Sequence, residues 1–151
     1  MKTRALVLIL VLICVALIIF ESYANDKKAF KKDYKFLAGT WINEEYNSHP
    51  HKAKFVLYRD GTFDNYNKTS DTEIHGSGHV IITDKWTDSE GNIWYKMHVW
   101  WGDIVEGKPG GYELDRISKS GKVWEFINLT GDYPTEMDEN FFHYHIYYRQ
   151  E

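Results

Sequence analysis

The chain has 151 residues, 43% hydrophobic and 17% aromatic, with 18 basic against 22 acidic side chains, which suits one globular domain with a single core. A net charge of -4 without a basic stripe argues against nucleic acid as a partner. The only cysteine is Cys14, so neither a disulfide framework nor a thiolate metal site is expected. The sequence also lacks a Gly-x-Ser-x-Gly elbow and a phosphate-binding glycine loop, and no catalytic residues are assigned.

Residues 1–24 read as a signal peptide. Lys2 and Arg4 precede an apolar run from Ala5 to Phe20, and Ser22-Tyr23-Ala24 supplies small residues for cleavage. Retention as an anchor or lipidation at Cys14 would be the alternatives, and each leaves the domain extracytoplasmic, periplasmic or secreted. Membrane contact is expected only through such an uncleaved or lipidated N-terminus. After cleavage 16 basic residues face 21 acidic ones. Residues 25–35 form a basic lead-in carrying Lys27, Lys28, Lys31, Lys32 and Lys35, with a short helical turn around Lys28 to Lys35.

From there the pattern is strand after strand. Asp60-Gly61, Glu90-Gly91-Asn92, Pro109-Gly110-Gly111 and Ser120-Gly121 are turn signals, and they separate strands expected near 39–46, 53–59, 62–67, 78–86, 93–101, 111–118, 122–129 and 141–149. Eight short antiparallel strands can close into an up-and-down barrel, which removes exposed edges and leaves an interior either filled by side chains or able to hold one small ligand. The longest connections, 68–77, 102–110 and 130–140, are rim loops and the expected place for variation.

Phe36-Leu37-Ala38-Gly39-Thr40-Trp41, the Asp60-Gly61-Thr62-Phe63 hairpin and the closing Ile146-Tyr147-Tyr148-Arg149 resemble the lipocalin-like members of the calycin superfamily, in particular the small exported bacterial ones. The resemblance covers residues 36–149 within a barrel domain of 36–151. It implies a calyx whose floor is built by Gly39, Trp41 and Arg149, with the guanidinium over the indole and an opposite mouth admitting a small apolar ligand. The Thr-Asp-Tyr signature is absent from the Lys119 to Lys122 connection, so a short lipocalin-like domain is implied rather than a full lipocalin.

Strict alternation predicts which side chains share a face. If Tyr95, Met97, Val99 and Trp101 point inward, together with Phe142, Tyr144, Ile146 and Tyr148, then His98, His143 and His145 lie outside. The opposite register would bring these histidines into the lumen, where they could ligate zinc or a haem iron. The first register is preferred, and no metal and no cofactor are expected.

The expected function is therefore an exported, non-catalytic binding protein that holds a small, largely apolar ligand in the calyx. Phe55, Leu57, Ile82, Tyr95, Met97, Trp101, Phe126 and Tyr144 are the candidate ligand-binding residues. The alternative is a protein-interaction or inhibitor module that uses a filled barrel as scaffold and its rim loops as contact surface. A continuous cavity of roughly 300 Å³ or more would favour the first.

Overall fold

Local turn chemistry sets the strand order. At the first tight hairpin Gly61 takes a φ of 84°, and the Asp60 carboxylate accepts from the Thr62 amide at 3.0 Å and the Thr62 hydroxyl at 2.6 Å. At the next, the two oxygens of Asp88 accept from the Asn92 amide at 2.9 Å and from Trp94 Nε1 at 2.8 Å. These bonds favour the ionised form and hold the Asp88 carboxyl down at about 2.

The computed structural model describes residues 29–43, 53–67, 72–103 and 110–151. The signal-peptide reading of residues 1–24, with Cys14, and lysines 27 and 28 lie outside the described residues. One short helix, α1 (Lys31–Leu37), precedes β1 (Gly39–Asn43), β2 (Ala53–Leu57), β3 (Thr62–Tyr66), β4 (Gly76–Thr87), β5 (Ile93–Trp101), β6 (Gly111–Ile117), β7 (Val123–Leu129) and β8 (Tyr144–Arg149). Every strand pairs antiparallel with its sequence neighbours, and β1 pairs with β8 through Trp41 opposite Arg149 and Ile42 opposite Tyr148. The result is the expected eight-stranded closed up-and-down barrel. Strand β8 starts three residues later than the alternation suggested. The amides of Phe141 and Tyr144 are spent on turn bonds to the carbonyls of Asp138 and Phe141.

This topology makes the two barrel ends unlike. The tight hairpins after β2, β4 and β6 share one end with α1, and the longer connections after β1, β3, β5 and β7 leave from the other. Helix α1 plugs its end. The Tyr34 hydroxyl donates to the Val80 carbonyl at 3.4 Å and accepts from the Ile82 amide at 3.0 Å, so the helix replaces strand bonds at the foot of β4. Trp41 Nε1 donates to the Leu37 carbonyl at 2.9 Å, and Arg149 donates to the Phe36 carbonyl at 2.6 Å, which satisfies carbonyls at the helix C-terminus. The Arg149 guanidinium carbon lies 4.4 Å from the centroid of the fully buried Trp41 ring.

A bulge in β4 completes the plug. The register steps from Ile82 opposite Met97 to Asp84 opposite Lys96, so one extra residue is inserted and Lys85 comes to face Tyr95. Its ammonium reaches the carboxylate of buried Asp33 on α1, which also accepts from the Tyr95 hydroxyl at 2.9 Å. Burial, and then the Asp33 bond, push the Tyr95 phenol far above its ordinary range. Around this network Leu37, Leu57, Ile82, Met97 and Ile117 are wholly or almost wholly buried.

Candidate functional site

Above that packed layer the lumen opens. A cavity of about 630 Å³ extends toward the end away from α1. Trp124 divides the two regions: its ring meets Trp41 edge-on at 5.1 Å below and Phe55 edge-on at 5.7 Å above. Phe55 and Phe63 lie 5.0 Å apart on one wall, and Phe126 stacks on Tyr147 at 5.7 Å on the other. Gly78 makes the first wall possible, because a Cβ there would sit 2.5 Å from the Phe63 ring and 2.0 Å from the Trp100 carbonyl oxygen. Without that atom Phe63 lies across β4 and meets Trp101 edge-on at 5.1 Å.

Strand β6 brings acid into this aromatic space. Its inward residues are Gly111, Glu113, Asp115 and Ile117, and Asp115 is completely buried while Glu113 is 8% exposed. Trp124 Nε1 donates to Asp115 Oδ1 at 2.7 Å, whereas Asp115 Oδ2 is buried without a hydrogen-bond partner. Asn128 Nδ2 donates to Glu113 Oε1 at 2.7 Å, and Glu113 lines the cavity. Desolvation pushes Glu113 up to about 7, against the Asn128 bond. Desolvation and then the charge of Glu113 push Asp115 well above the usual carboxylate range. Near neutral pH this pair therefore retains protons that exposed carboxyls would have lost.

Further polar lining comes from His145 on β8, His143 in the turn before it and Asn65 on β3, with His75 and Asn67 near the mouth, 3.1 Å apart between Asn67 Nδ2 and His75 Nδ1. His145 lies 4.9 Å from Phe126, tilted by 31°, and burial holds it down at about 4, so it is neutral at pH 7. Among the described residues no group of three or more His, Cys, Asp or Glu side chains is gathered closely enough to hold a metal ion.

The expected ligand-binding residues divide into three groups. Phe55, Trp101 and Phe126 line the cavity, Trp101 with 57% of its surface exposed at the mouth. Leu57, Ile82, Tyr95 and Met97 face inward but belong to the packed layer beneath, where they are buried. Tyr144 corrects the sequence reading, because it lies on the outer face and its hydroxyl donates to Glu125 at 2.6 Å, beside the Arg116–Glu125 ion pair. The whole of β8 has the face opposite to the one preferred above. Once Arg149 turns inward onto Trp41, alternation forces Tyr147 and His145 inward and sends Tyr148, Ile146 and Tyr144 outward, while His143 lines the cavity from the turn before the strand. His98 does lie outside, 4.9 Å from Tyr112 and stacked on Tyr133 at 5.4 Å.

The outer cluster explains why apolar character on these strands did not mark the lumen. The connection before β8 runs down the outside of the barrel, with the Tyr133 hydroxyl 2.6 Å from Thr83 Oγ1 and the ring against His98, Tyr112 and the Lys96 ammonium. Leu114 and Ile127 are buried on that outer face. Glu113 and Asp115 were missed, yet a signal for them existed. The Ser118 to Lys122 hairpin sets Ile117 opposite Trp124, hence Asp115 opposite Phe126 and Glu113 opposite Asn128. Placing Phe126 inward therefore places both acids inward. Comparison with protein-family models, with curated proteins and with solved structures gave no match.

Proposed function

We propose that this barrel is an exported, lipocalin-like binding protein that takes a small, largely apolar molecule into the open end of its calyx and performs no chemistry on it. The cavity of about 630 Å³ carries this reading. It lies within the range of roughly 300–1,000 Å³ typical of ligand pockets, and its walls combine aromatic rings with a few polar groups, as such pockets do. The floor supports it too, since the Trp41–Arg149 stack matches what the lipocalin-like resemblance implies for a calyx with one closed end.

A fluorescent fatty-acid analogue titrated into the protein is expected to give saturable energy transfer from the tryptophans at the lumen, Trp101 and Trp124. Native mass spectrometry of protein taken from its own compartment should also retain a small molecule. Failure of both would favour a second reading, a protein-interaction module. Trp101, Phe142 and Ile74, respectively 57%, 76% and 48% exposed, surround the same end and would be its contact surface.

A further inference from the structure

Resting on the calyx reading, we propose that the ligand carries a protonated amine, and that Glu113, with Asp115 one step deeper on β6, is the anionic seat for that amine while the aromatic walls hold the rest of the molecule. Three observations point to a cation. Among the described residues that line the cavity none is a lysine or an arginine, whereas the acid Glu113 is one of them. Two cations at the closed end are already engaged, Lys85 with Asp33 and Arg149 with Trp41 and the Phe36 carbonyl. Asn128 engages only one oxygen of Glu113, and Asp115 keeps an oxygen that is buried with no partner.

The walls favour the same charge. The π faces of Phe55, Phe63, Trp124, Phe126 and Tyr147 are electrostatically negative and attract an ammonium in a dry site. A ligand carboxylate would meet the buried acid Glu113 instead, with Asp115 beneath it, and a neutral ligand would leave Glu113 without a counter-charge. Neither alternative uses what β6 places in the lumen.

Binding has a definite proton balance. The amine enters with its own proton, Glu113 gives its proton to solvent, and an ammonium–carboxylate pair remains. Affinity should therefore rise with pH through the range where Glu113 ionises. The titratable groups that line the cavity with Glu113 are His145 and Tyr147 on β8, His143 in the turn before it, and Tyr66 and His75 at the mouth, while Asp115 on the same strand and Tyr95 on β5 lie buried beneath. Protonation of His145, which is held down at about 4, would add positive charge and oppose an amine as well, so it reinforces the trend at the acid end.

Calorimetric titration of the full chain with tryptamine, 3-ethylindole and indole-3-propionate separates the possibilities, because the three share a ring system and differ in charge. Tryptamine is expected to bind about thirty-fold more tightly than 3-ethylindole, and Glu113→Gln, which keeps the Asn128 contact, is expected to remove most of that preference. In the parent the tryptamine affinity should fall by about ten-fold per pH unit below about 7, with proton release, and in Glu113→Gln this dependence should flatten. Equal or tighter binding of 3-ethylindole or indole-3-propionate, unaffected by Glu113→Gln, would overturn the amine assignment and leave the calyx standing. No binding by any of the three would also overturn it, and the fatty-acid titration then decides separately whether the calyx reading falls.

Discussion

The two ends of the barrel are made from the same strands and obey opposite rules. At the floor the buried charges are paired or stacked: Tyr34 spans Val80 and Ile82, Asp33 takes Tyr95 and Lys85, and Arg149 lies over Trp41 while capping Phe36, with only its Nε left without a hydrogen bond. Halfway up, β6 places Glu113 and Asp115 among aromatic rings with no ion pair among the described residues, and Asp115 retains an orphaned oxygen. A satisfied buried network stabilises and fixes a fold, whereas an unsatisfied one costs stability. The contrast is in the pairing of buried acids, which supports a folding role for the floor and the proposed binding role for the upper lumen.

The largest effect should come from the floor. Trp41→Ala removes a fully buried ring, the base of the Arg149 stack and the edge contact to Trp124, and truncations of this kind cost about 3–5 kcal/mol. A melt or urea titration in which this variant matched the parent would abolish the distinction between the ends.

A smaller effect of opposite sign is expected from Glu113→Gln. Glu113 is raised in the fold from 4.5 to about 7, so the folded state loses relative stability as pH rises across that interval. His145 is lowered from 6.5 to about 4, and its contribution is instead lost as pH falls through that range, so the two oppose each other where they overlap. Replacing Glu113 removes the first, eases the upward push on Asp115 and leaves His145 as it is. The variant should be more stable than the parent at pH 8, by on the order of 1–3 kcal/mol, with the gap closing toward pH 5. A destabilised variant at pH 8 would mean that the acid contributes to the fold.

The smallest stability change belongs to Trp101→Ala. With 57% of its surface exposed, the residue should contribute no more than about 1 kcal/mol to the melt. Its loss from the mouth should nevertheless weaken the fatty-acid analogue. A variant that melts like the parent and binds like it would remove Trp101 from the site and narrow the binding region to the deeper walls.

Much of the fold was legible because its signals are local. Asp60-Gly61 and Ser120-Gly121 declare their turns through residues that tolerate positive φ or accept backbone amides, and the alternating runs between such turns declare strands. The candidate site was only partly legible. Phe55, Trp101 and Phe126 followed from alternation, but Leu57, Ile82, Tyr95 and Met97 are equally apolar and equally inward. Only their depth beside α1 separates lining from packing.

What the sequence determined by itself was the number of strands, their order and the pairing across short hairpins, since each depends on contacts a few residues apart. Tertiary structure alone decided which face of β8 is interior, that an extra residue in β4 turns Lys85 toward Asp33, and that the connection before β8 covers an outer aromatic face. Alternation divides a strand into two faces without saying which one the barrel encloses. That choice is made when β1 closes on β8 and Arg149 has one indole to lie against.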